Sequence, residues 1–157
     1  MNISENSRIW IYQSHRILNS DEEDRIMVML NNFTSQWLAH GHALAAHGEI
    51  LHQQFIILSV DEAVAGATGC SIDKSLYLMK EIEKEFDLNL FDRFRIAYRE
   101  NESIINCSRE EFEEQIKSGH ITDHTLVFNN LISKRKELQN GWEIPLKDSW
   151  HAQVFTV

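Results

Sequence analysis

Between Val60 and Ser75 the chain reads Val-Asp-Glu-Ala-Val-Ala-Gly-Ala-Thr-Gly-Cys-Ser-Ile-Asp-Lys-Ser. An apolar, β-branched run ends at Val60 and a helical pattern has begun by Ile72, so the glycine-bearing segment between them has the strand-loop-helix form. That form aims backbone N–H groups at an anion, and the helix dipole adds to the attraction. Asp61, Gly69, Cys70, Ser71, Asp73 and Lys74 are the candidate ligand-binding residues. Lys74-Ser75 resembles the end of a phosphate-binding loop, but Asp73 stands where such a loop needs glycine, and its carboxylate would repel a phosphate. ATP hydrolysis at this loop is therefore not expected.

Cys70 carries a second line of chemistry. A thiol at a helix N-terminus has its thiolate stabilised by the dipole and can act as a nucleophile. A Cys70-dependent enzyme of acyl-transfer or hydrolase type would take His40 or His151 as base and the N–H groups of Gly69 and Ser71 as oxyanion donors. The same residues also fit a structural role, with a small Cys70 packed at a tight crossing, Ser71 or Thr68 as helix cap and Asp73 in the favourable first turn.

The histidines His40, His42, His47 and His52 raise a metal site, since imidazole suits zinc, copper and nickel. In an extended segment positions 40, 42 and 52 share a face and 47 does not. No CxxC or HExxH spacing supports them, so exposed or capping histidines are expected and no metal or other cofactor is assigned. Asp148 could orient His151 for proton transfer. Trp142 and Trp150 read as anchors for the chain end.

These groups must be positioned by a chain of 157 residues with a formal charge of −9, 43% hydrophobic and 25% charged residues, and one proline, Pro145. That length and composition predict one domain over residues 1–157. The acidic balance makes nucleic acid an unlikely partner, and the run Lys134-Arg135-Lys136 reads as a solvated helix surface. The two cysteines, Cys70 and Cys107, are expected as free thiols, and no leader-like N-terminus or membrane-length apolar run is present. The expectation is a cytoplasmic protein without a membrane segment.

Arg8–Gln13 alternates with apolar residues on both sides, which predicts a central strand. Ser20 with Glu23 makes a capping box for a helix carrying Ile26, Met29, Leu30, Phe33 and Trp37. Residues 43–54 predict a weaker strand or a pair of short pieces, interrupted by Gly48, and Phe55–Val60 predicts a second central strand. A helix bearing Ile72, Leu76, Met79, Ile82 and Phe86 follows, then a half-exposed strand over 93–100. Ser108 with Glu111 caps a short helix, a further helix is expected over 125–139, and an extended tail closes the chain. The order strand, helix, strand, strand, helix, strand over 8–100 predicts an α+β, ferredoxin-like split βαβ core, with 101–157 as a C-terminal extension of a helix pair and tail.

The strings Arg8-Ile-Trp-Ile-Tyr-Gln13, Trp37-Leu-Ala-His-Gly41, Phe55-Ile-Ile-Leu-Ser-Val-Asp-Glu62, Gly69-Cys-Ser-Ile-Asp-Lys-Ser75, Leu90-Phe-Asp-Arg93, Thr125-Leu-Val-Phe-Asn-Asn-Leu131 and Asp148-Ser-Trp-His151 together resemble a family of small uncharacterised bacterial proteins, about 160 residues long, that are often labelled automatically as ABC transporter ATPases. The residues do not support that label, and the resemblance implies no particular activity. The functional expectation is a cytoplasmic binding or regulatory domain with its site at 61–75, taking a protein or a small anionic ligand. A homodimer formed through an exposed sheet or tail is a further expectation. The alternative is the Cys70-dependent enzyme.

Overall fold

The computed structural model describes residues 3–156, a mixed α+β chain whose sheets are all antiparallel. The chain divides into two compact units. One is made by the residues up to Phe91 together with Ser133–Lys136, the other by Asp92–Ile132 and the residues from Glu137 onward.

The first unit begins with β1 (Arg8–Gln13) and α1 (Ser20–Thr34). The helix starts one residue earlier than the Ser20 box implies: Asn19 Oδ1 accepts from the Glu22 N–H at 2.8 Å and Glu22 Oε1 accepts from the Asn19 N–H at 3.0 Å. Both registers offer a short polar residue three before a glutamate, and Arg16 favours this one by gripping Glu22.

A small hairpin of β2 (Leu38–Ala39) and β3 (His42–Ala43) follows, joined by the two-residue turn His40-Gly41 with φ of 51° and 78°. Positive φ at both positions gives a twist that suits a tight hairpin, and glycine takes it without steric cost.

Next come β4 (Ala45–Leu51), β5 (Phe55–Asp61) and α2 (Gly69–Phe86). The sheet order is β1-β5-β4, so Phe55–Val60 is central and entirely buried. Gly48 does not interrupt β4. A Cβ at that position would lie 2.9 Å from Leu30 Cβ, so the missing side chain is what lets α1 lie close on the sheet. Ile26 and Leu30 of α1 and Leu78, Met79, Ile82 and Phe86 of α2 pack with Tyr12, Ile56 and Leu58 of the strands.

The strand expected over 93–100 does not complete this sheet. The place beside β1 is taken instead by residues 133–135: Ile9 N–H donates to the Ser133 carbonyl, Arg135 N–H donates to the Ser7 carbonyl, and Arg8 bridges Lys134. The basic run is therefore not part of an α-helix, although Lys134 and Lys136 are exposed as expected of a solvated surface. Arg135, at the start of a 3-10 turn, is instead half-buried, pairing with Glu49 and reaching Ser59.

In the second unit β6 (Ile96–Glu100) and β7 (Ser103–Cys107) form a hairpin through Asn101, followed by α3 (Arg109–Lys117), which Ser108 and Glu111 cap reciprocally. Then come β8 (Leu126–Phe128), β9 (Glu143–Pro145) and the short α4 (His151–Val154), with sheet order β7-β6-β8-β9. Two expectations change here. Ile96, Ala97 and Tyr98 are all buried rather than alternating, and Phe94 lies outside the strand, exposed. The helix expected over 125–139 is replaced by β8, a turn and the 3-10 segment Arg135–Leu138. Val127 pairs with Tyr98 and Ile144, and Asn129 Oδ1 accepts from the Leu131 N–H, a local bond that competes with helix formation. The core of this unit contains Ile96, Tyr98, Phe112, Val127, Leu146 and Phe155.

Candidate functional site

Asp61 closes β5 and folds its own loop: its Oδ1 accepts from the Ala63 N–H at 3.1 Å, and its carbonyl accepts from the Val64 N–H. Glu62 Oε2 accepts from the Ala67 N–H at 3.0 Å and lies 3.9 Å from Arg8. Thr68, rather than Ser71, is the N-cap of α2, and Ser71 is its reciprocal partner. The Thr68 N–H donates to Ser71 Oγ at 2.7 Å and the Ser71 N–H donates to Thr68 Oγ1 at 3.3 Å. The buried indole of Trp37 donates to the Ser71 carbonyl at 2.8 Å, which fastens the start of α2 to the small cluster of Trp37, Ala39, Leu44 and Val60.

These bonds take several of the donors that an anion site would need. The N–H groups of Ala67, Thr68, Ser71 and Ile72 all find partners inside the loop and first turn. Ser71 is consequently engaged as a cap and not as an oxyanion donor. Ser75 is buried, with its Oγ donating to the Ile72 carbonyl at 2.6 Å. Gly69, Cys70, Asp73 and Lys74 are exposed.

The candidate bases differ in setting. His40 occupies the hairpin turn of the first unit and is exposed. His151 belongs to the second unit and is buried, its Nδ1 lying 2.7 Å from Ser149 Oγ and its ring stacked 3.9 Å from that of Trp150. Ser149, not Asp148, is its partner, and burial pushes its imidazole down to about 4. The thiol of Cys107 is also buried, and desolvation first, then Glu111, pushes it up to about 12.

The histidines do not share one face. His40 and His42 stand at the β2-β3 turn, whereas His47 lies within β4 and His52, also at positive φ, at its far end. Among the described residues no three His, Cys, Asp or Glu side chains are grouped to hold a metal ion.

What the fold does bring together is the hairpin and the loop. An open groove of about 460 Å³ is lined by Ala39, His40, His42 and Ala43 from the hairpin and by Val64, Ala65 and Gly66 from the loop. Asp61, Gly69, Cys70, Ser71, Asp73 and Lys74 are not among its lining residues. Sequence reading found the two histidines and Gly66 but missed the alanines and Val64, which carry no chemical signal of their own. The available clue was the His-Gly pair between short apolar residues, a tight-turn pattern.

Compared with protein-family models, curated proteins and solved structures, the chain shows no significant match to any. Among the described residues no helix is long and apolar enough to cross a membrane.

Proposed function

We propose that this chain is a cytoplasmic binding or regulatory domain that engages a protein partner at the groove between the His40-Gly41 turn and residues 64–66. One observation carries the reading. The loop holds its own shape through the Ala63, Val64, Ala67 and Thr68 amides while leaving an open recess walled mostly by small apolar side chains. A partner's apolar side chain would find a preformed surface flanked by two imidazoles, a mix of apolar walls and a few polar groups that suits recognition.

The resemblance to small bacterial proteins and the ferredoxin-like reading belong to the same proposal. Their support is that β1, α1, β4, β5 and α2 follow in the order of the first five elements of such a fold, with β5 between the other two strands.

A photo-crosslinking residue at Val64, which is 68% exposed, tests the reading in the native cell. A discrete protein adduct is expected from Val64 and not from the equally exposed Tyr77 on α2. It should disappear when Ala43→Trp fills the groove. Adducts from both positions, or none from Val64, would overturn it. The alternative, a Cys70-dependent acyl-transfer or hydrolase enzyme, is favoured only by the accessibility of the thiol.

A further inference from the structure

We propose that β4 is a dimerisation edge, pairing antiparallel with β4 of a second copy of this chain about a two-fold axis at Gly48. β4 runs seven residues in unbroken register with β5, and among the described residues no other strand pairs with it. Exposed edges are ordinarily guarded by charged side chains, lysine above all, by proline, a bulge or short length. Ala45-Ala46-His47-Gly48-Glu49-Ile50-Leu51 has no lysine, proline or bulge, and its one charge, Glu49, is paired with Arg135. The opposite edge of the same sheet is treated differently, since residues 133–135 bond to the chain there.

The strand is complementary to itself. An axis at Gly48 sets Ala45 opposite Leu51, Ala46 opposite Ile50 and His47 opposite Glu49 of the second copy. Because Gly48 faces Leu30 of α1, residues 46 and 50 share the helix-covered face, and 45, 47, 49 and 51 share the other. The apolar pairs match, and the His47 to Glu49 contact forms twice by symmetry. An imidazole N–H donates to a carboxylate whether or not the ring is charged. Arg135 already holds the Glu49 carboxylate in place, so little ordering is left for the contact to impose.

Sedimentation velocity of the full chain over a wide concentration range tests this. The wild-type chain should show a concentration-dependent monomer-dimer equilibrium. His47→Glu places like charges opposite each other twice and should raise the dissociation constant ~10-fold or more, whereas His47→Lys should preserve or tighten the dimer. Circular dichroism on both variants checks that each is folded. A monomer at every concentration overturns the proposal, as does a dimer that His47→Glu leaves intact or that both variants lose equally. A dimer abolished by Ile104→Lys but not by His47→Glu would place the interface on the β7 edge and overturn it as well.

Discussion

Arg16 holds Glu22 with two hydrogen bonds, from Nη1 to Oε1 at 2.9 Å and from Nη2 to Oε2 at 2.7 Å, and the same Nη2 donates to the Phe86 carbonyl at 2.7 Å. One guanidinium thus ties the capping box of α1 to the last turn of α2. Planar, two-pronged pairing of this kind is the strong form of an ion pair.

The acid limb of stability follows from that grip. The Arg16 hydrogen bond, then the Asn19 N–H, hold the Glu22 carboxyl down to about 2. A folded-state value below the unfolded one contributes stability that is present above the unfolded carboxylate range and lost as pH falls toward 2. Glu22→Gln should therefore lower stability near neutral pH by about 1–2 kcal/mol, after discounting for solvent screening. The difference from wild type should shrink as pH drops from 5 to 2. Urea midpoints at several pH values check this; an equal gap at all of them refutes it.

His151 titrates in the same direction for a different reason. Its imidazole, pushed down to about 4 by burial, stays neutral in the folded chain while the unfolded one protonates near the ordinary histidine value. The stability it contributes is full above the unfolded value and declines as pH falls from there toward 4. Its ring resonances should remain those of a neutral imidazole at pH 6, when exposed His40 and His42 are observed alongside it.

Gly48 should tolerate no side chain. Gly48→Ala puts a methyl against Leu30 Cβ and is expected to cost about 1–3 kcal/mol, the usual range for overpacking. Gly69→Ala meets nothing within 4 Å and should change stability little. Leu30→Ala keeps the Cβ that makes this contact, so combined with Gly48→Ala it should cost about as much as the two singles summed, whereas Leu30→Gly combined with Gly48→Ala should cost less than its two singles summed. Chemical denaturation of these variants measures it.

Thiol counting separates the cysteines. Cys70 is exposed and Cys107 is buried with its thiol pushed up to about 12, so the native chain should take one equivalent of iodoacetamide, at Cys70, and the denatured chain two. Labelling of Cys107 in the native state would contradict the core of the second unit. If Cys70→Ser also keeps the Val64 crosslink, the thiol is dispensable for binding.

Features that depend on neighbours a few residues away are legible in the chain before it folds. Ser108 with Glu111 marked the start of α3, Ile72 to Phe86 marked the buried face of α2, and the unbroken run Phe55–Val60 marked a strand buried on both sides. Each rests on a local bond or a local period. Tertiary structure decided the questions whose answers are partners. Val127 became a strand residue because β6 and β9 flank it, residues 133–135 filled the edge that 93–100 was expected to fill, and Gly48 passed through a strand because Leu30 sits over it. The groove belongs to this second kind. Ala39, Ala43, Val64 and Ala65 have no chemistry alone, and only the folding of the His40-Gly41 hairpin beside the Asp61 loop makes them a surface.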